Sequence, residues 1–128
     1  MDGKYSVLLV EDNYIAMMTE KAMLEHLNCE VVCAQDGKEA IDAATVGQYE
    51  LILMDIGLPN IDGIEASQKI RDLGIKTANG SSVPIVAVTG NNDPLQRDKC
   101  FKVGMNDVIG KPLTLEIAQE ILTNHIHK

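Results

Sequence analysis

Five short apolar runs recur along the chain, and segments of helical period separate them. The runs span residues 6–10, 29–34, 50–54, 84–88 and 107–109. Most are continuously apolar rather than alternating, as in Val7-Leu8-Leu9-Val10 and Ile85-Val86-Ala87-Val88. A strand of that kind is buried on both faces, which requires a parallel sheet covered by helices. The intervening segments supply those helices. The first spans 13–27, with Ala16, Met23 and Leu27 on one stripe. The second spans 37–46 and carries Ala40, Ile41 and Ala44; the third follows Asp62 and carries Ala66, Ile70 and Leu73. Asp93 caps the fourth, Pro94 suits its first position and Gly104 its left-handed end. Thr114 caps the last, whose stripe is Ile117, Ala118, Ile121 and Leu122. Residues 73–84 are the least regular stretch and predict an extended surface loop.

Five β-α units in 128 residues make one three-layer α/β/α domain over 1–128. Right-handed crossovers leave few topologies, and the doubly wound, flavodoxin-like strand order 2-1-3-4-5 is the expectation. In that order the first and third strands are neighbours.

Polar groups stand at the carboxyl ends of the runs. Glu11-Asp12 follows the first run, Asp55 the third, Thr89 the fourth and Lys111-Pro112 the fifth. Each alone is an ordinary helix cap or turn residue. Together they lie on the sheet edge where ligands bind in open parallel sheets. Three unpaired carboxylates packed together repel, and a hard divalent cation relieves them. Glu11, Asp12 and Asp55, with the backbone carbonyl of Gly57, suit an incomplete Mg²⁺ shell. Lys111 adds a compact positive charge, and the Thr89 hydroxyl a donor, for phosphoryl oxygens. Asp55 is then the nucleophile, carrying a phosphoryl group as an acyl phosphate.

Composition narrows the partners. Hydrophobic residues make up 45% and aromatics 3%, so the core is aliphatic. A net charge of −8 disfavours direct nucleic-acid binding. No apolar stretch approaches a membrane span and the N-terminus lacks a signal pattern, which places the chain in the cytoplasm. Cys29, Cys33 and Cys100 form no CxxC, and Cys29 and Cys33 share a strand face as reduced thiols. His26 falls at a helix end, and His125 and His127 are terminal residues with no metal role.

The wording of the motifs resembles a receiver domain of the two-component response-regulator family. Val7-Leu8-Leu9-Val10-Glu11-Asp12-Asn13 carries the resemblance, with Leu53-Met54-Asp55-Ile56-Gly57-Leu58-Pro59 and Asp62-Gly63. The run from Pro84 to Thr89 and the run from Gly104 to Pro112 complete it. The resemblance implies that Asp55 accepts a phosphoryl group from a phosphohistidine on a histidine kinase or phosphotransfer domain. It implies Mg²⁺ on Glu11, Asp12, Asp55 and the Gly57 carbonyl, and phosphoryl contacts from Thr89 and Lys111. It also implies a cis Lys111-Pro112 bond, self-catalysed phosphorylation and slow hydrolysis without turnover. A downstream protein would be read by the face of helix four, strand five and helix five. Valine at 108, where an aromatic switch residue is common, and Gly90, where alanine is common, depart from the pattern. The wording is most similar to receivers of hybrid sensor kinases, which pass phosphate along a relay. Three other classes fit less well. A pseudo-receiver, which binds partners without phosphotransfer, usually lacks a pocket residue, and this chain retains all of them. An aspartate-nucleophile phosphatase needs a second acid where Gly57 stands. A flavodoxin needs aromatic stacking partners and no acids after its first strand.

Overall fold

The computed structural model describes residues 4–57, 62–90 and 94–126. Five strands, β1 (Tyr5–Val10), β2 (Cys29–Ala34), β3 (Leu51–Asp55), β4 (Ile85–Thr89) and β5 (Asp107–Gly110), form one parallel sheet. Its order is β2-β1-β3-β4-β5, the flavodoxin-like order expected from the sequence. Five helices alternate with the strands: α1 (Tyr14–His26), α2 (Gly37–Val46), α3 (Gly63–Asp72), α4 (Pro94–Lys102) and α5 (Leu115–His125).

Side chains alternate across each strand, so the sheet divides the core into two aliphatic halves. On one face Val7, Leu9, Leu51, Leu53, Val86 and Val88 meet Met17 and Leu24 of α1 and Ala118, Ile121 and Leu122 of α5. On the other, Leu8, Val10, Ile52, Met54, Ile85 and Ala87 meet α2, α3 and α4. β1, β3 and β4 are central and buried along their inner positions, whereas β2 is half-exposed, with Val32 at 43%. The expectation of two-sided burial thus holds for the three inner strands and not for the edges, which pair on one side only. Cys29 and Cys33 do face the same half-core as free thiols, Cys29 buried and Cys33 half-buried.

Local signals fix the helix starts. Asn13, Asp36, Asp62 and Thr114 each accept a hydrogen bond from a backbone N–H three residues on. Gly104 follows α4 with φ 98°, the left-handed conformation its position required. Asp93 and His127 lie outside the described residues.

Two details correct the sequence reading, and a third refines the expected surface loop. The buried stripe of α1 is Met17, Glu20 and Leu24, and Ala16, Met23 and Leu27 are only half-buried beside it. Leu73 is not part of the α3 stripe: the helix ends at Asp72, and Leu73 is its C-cap, 55% exposed. The stretch 73–84 is ordered by a tight turn: Lys76 bridges Ser82 antiparallel, and Thr77 N–H donates to Ser81 O at 2.8 Å.

Candidate functional site at the carboxyl edge of the sheet

The β1/β3 register brings the two acidic strand ends together. Val10 stands opposite Met54, so Glu11 and Asp55 follow side by side. Glu11 is held by its own N–H, which donates to Ala34 O at 3.0 Å, and its carboxylate accepts from Asn13 N–H at 3.2 Å. It is 1% exposed, while the next residue, Asp12, faces solvent. Asp55 is itself the last residue of β3 and is 4% exposed; its Oδ1 accepts from Gly57 N–H at 2.9 Å.

The cationic side comes from β4 and β5. Thr89 ends β4, pairs with Gly110 and is buried. Lys111 N–H donates to Thr89 O at 2.7 Å, so the lysine backbone is tied to the end of β4. The Lys111-Pro112 peptide is cis, as the resemblance implied. Lys111 Nζ lies 3.1 Å from Asp55 Oδ2 and 3.3 Å from Glu11 Oε1, one ammonium between two buried carboxylates.

Electrostatics follow from that packing. Burial and the adjoining Asp55 push the Glu11 carboxyl up to about 7, against the pull of the Asn13 N–H and the Lys111 charge. Burial works against the Lys111 charge, yet its bonds and attraction to Asp55 and Glu11 outweigh this and hold it above its usual value. Glu20, buried on α1, is raised mainly by burial.

Ligand oxygens of Glu11, Asp12 and Asp55 all lie within 4.8 Å of one another. An all-carboxylate set with one solvent-facing member is the donor chemistry a hard, partly hydrated divalent cation takes. A buried Glu11 held near neutrality in the absence of such charge is the electrostatic demand that a cation would meet. The acids border a cleft of about 510 Å³, which Asn13, Gly57, Thr89, Gly90 and Gln96 also line.

All six residues predicted for the site, Glu11, Asp12, Asp55, Gly57, Thr89 and Lys111, therefore line one cleft. Sequence reasoning did not anticipate Gln96, or the reason for Gly63. A Cβ on Gly63 would stand 2.3 Å from Asp55 O and 2.6 Å from Ile56 Cα, so only glycine lets α3 begin against the backbone at the end of β3. Its position beside the capping Asp62 was the available signal. A second cleft, about 500 Å³, opens at the amino edge of the sheet beside Ser6, Glu50 and His125. Its histidine is already joined to Asp107 at 3.3 Å, and among the described residues it gathers no comparable set of acids.

Known proteins share this architecture and motif set. Histidine kinase 5 of Arabidopsis thaliana is 33% identical over 98% of this chain, which spans only 16% of that kinase. The receiver domain of sensor histidine kinase PA1611 from Pseudomonas aeruginosa PAO1, crystallised with magnesium coordinated in its active-site cleft, matches with TM-score 0.84. It is 37% identical, over 96% of this chain and 98% of its own. The receiver domain of Ssk1 from Saccharomyces cerevisiae, solved with the phosphotransfer protein Ypd1, gives TM-score 0.86 and 32% identity, covering 98% of this chain and 90% of that one. The family model of the response regulator receiver domain matches residues 7–123. With nearly the whole sheet and every strand-end motif inside that span, the chain belongs to the receiver domain family of two-component response regulators.

Proposed function

We propose that residues 1–128 act as one receiver unit in which Asp55 accepts a phosphoryl group from a phosphohistidine. The observation that carries this is the single ammonium of Lys111 set between Asp55 and Glu11 in a cleft open to solvent. An oxygen of Asp55 attacks phosphorus, the P–N bond breaks, and the leaving imidazole nitrogen keeps the electron pair and takes a proton. Asp55 needs no base because its carboxylate is already an anion. Lys111 and the Thr89 hydroxyl hold the transferred oxygens, and the Gly57 N–H keeps the attacking carboxylate in place. Glu11, Asp12, Asp55 and the Gly57 carbonyl are the residues to hold Mg²⁺, which supplies charge neutralisation for the developing phosphoryl oxygens. The same parts catalyse only this domain's own phosphorylation and dephosphorylation.

The donor is a histidine kinase or a phosphotransfer domain, as the Ypd1 complex of the Ssk1 receiver supports. Tyr14, Ile15 and Met18, at 65%, 77% and 44% exposure, give α1 an apolar flank beside the cleft for that contact. A downstream protein reads the face of α4, β5 and α5, where Leu95, Phe101 and Leu115 are exposed. The setting is cytoplasmic; among the described residues no helix is long and apolar enough to cross a membrane. Likeness to kinase receivers supports a place in a hybrid kinase relay.

Acetyl phosphate with Mg²⁺, followed by intact-mass measurement, tests the assignment. One added phosphoryl group is expected in the wild type and none in Asp55→Asn. An unmodified wild type, or an adduct that survives the substitution, rejects it.

A further inference from the structure

Lys111 and Thr89 sit at the far ends of β5 and β4, and β5 is the less secure of the two. It has four residues and pairs on one side only, with β4. A slip of one residue would turn every side chain of such a strand to the opposite face. The device that prevents this lies at the other end of the pair. Asn106, just before β5, grips Ile85, the first residue of β4, twice. Its N–H donates to Ile85 O at 2.7 Å, and its side-chain Oδ1 accepts from Ile85 N–H at 2.9 Å.

Arg71, at the end of α3, locks that grip. Its guanidinium donates to Asn106 Oδ1 at 2.9 Å, to Gly104 O at 2.9 and 2.8 Å, and to Val83 O at 2.6 Å. Val83 leads into β4, and Gly104 and Asn106 lead into β5. One half-buried cation therefore bridges the entries of both strands through neutral acceptors, with charge-assisted bonds stronger than neutral ones. Gly104 makes room: a Cβ there would meet Arg71 Nε at 3.1 Å. The Asn106 grip stands five residues, roughly 16 Å, from Lys111.

We infer that Arg71 and Asn106 are positioning residues for Lys111 and Thr89, acting through the register of β4 against β5. This rests on the reading of Asp55 as phosphoacceptor with Lys111 and Thr89 beside it. A mere cap on the α4 terminus would steady α4 and leave the distant ammonium where it is.

The full chain decides between these with Asn106→Leu, Asn106→Asp, Arg71→Gln and, as a core control with its own loss of Tm, Ile121→Val. Phosphorylation by saturating acetyl phosphate with Mg²⁺ is timed by intact mass, and exchange protection of the Lys111 amide is read by NMR. Asn106→Leu is expected to slow the reaction by roughly 10- to 100-fold and to expose the Lys111 amide. Asn106→Asp keeps the acceptor and restores both. Arg71→Gln gives the same pattern in weaker form, and serves alone if Asn106→Leu does not fold. Wild-type rate and intact Lys111 protection in the folded variants, or losses no larger than in Ile121→Val, overturn the inference. A wild type that forms no adduct fails the phosphoacceptor reading instead, and the Lys111 amide then decides the register by itself.

Discussion

Replacing Glu11 by glutamine isolates the electrostatic strain of the metal-free site. Glu11 is 1% exposed and its carboxyl rises from an ordinary 4.5 to about 7. The folded chain therefore holds a proton there that the unfolded chain has released. Stability falls with rising pH wherever the native state binds more protons. It is complete below about 4.5 and is lost as pH rises through about 7. That interval corresponds to an effect on the order of 3 kcal/mol. Glutamine mimics the protonated acid. Glu11→Gln should equal the wild type near pH 4 and exceed it at pH 8 by ~2–3 kcal/mol. Urea unfolding in EDTA across that range, with the two proteins compared at each pH, cancels the other titrating groups. Added Mg²⁺ should close the gap at pH 8 by stabilising the wild type. A difference that stays flat with pH, or that favours glutamate at pH 8, refutes the account of a strained buried acid.

Lys111→Met removes the ammonium between Glu11 and Asp55; metal-free stability at pH 8 should drop by ~1–3 kcal/mol, read by urea unfolding, and acetyl phosphate labelling should fall sharply. Gly63→Ala puts a methyl where backbone atoms of Asp55 and Ile56 already stand, so a loss of ~1–3 kcal/mol by thermal unfolding and slower labelling of Asp55 are expected together. Ser67 Oγ is buried with no hydrogen-bond partner among the described residues, and Ser67→Ala should be neutral or stabilising by up to ~1 kcal/mol with labelling unchanged.

The fold was legible where one residue sufficed to state a local rule. Leu51-Ile52-Leu53-Met54 announces an inner strand, and Asp55 marks its end. Asn13, Asp36, Asp62 and Thr114 lie within a turn of the amides they cap. The candidate site was legible for the same reason: parallel order alone carries strand-end residues to one edge. What sequence patterns hid was set by distant partners or by exceptions to polarity. A stripe drawn from apolar residues passes over Glu20, because burying an acid is costly and patterning assumes it outside. Leu73 reads as helical until the helix stops. The Arg71 bridge joins residues 33 and 35 apart, and nothing near Arg71 predicts it.

Glu11 and Asp12 are chain neighbours, yet one is dry and the other wet. A divalent cation held by this pair would meet solvent on the Asp12 side and a dry carboxyl on the Glu11 side. Such an ion would be approached from one side of the acid pair only, because the other is sealed into the sheet.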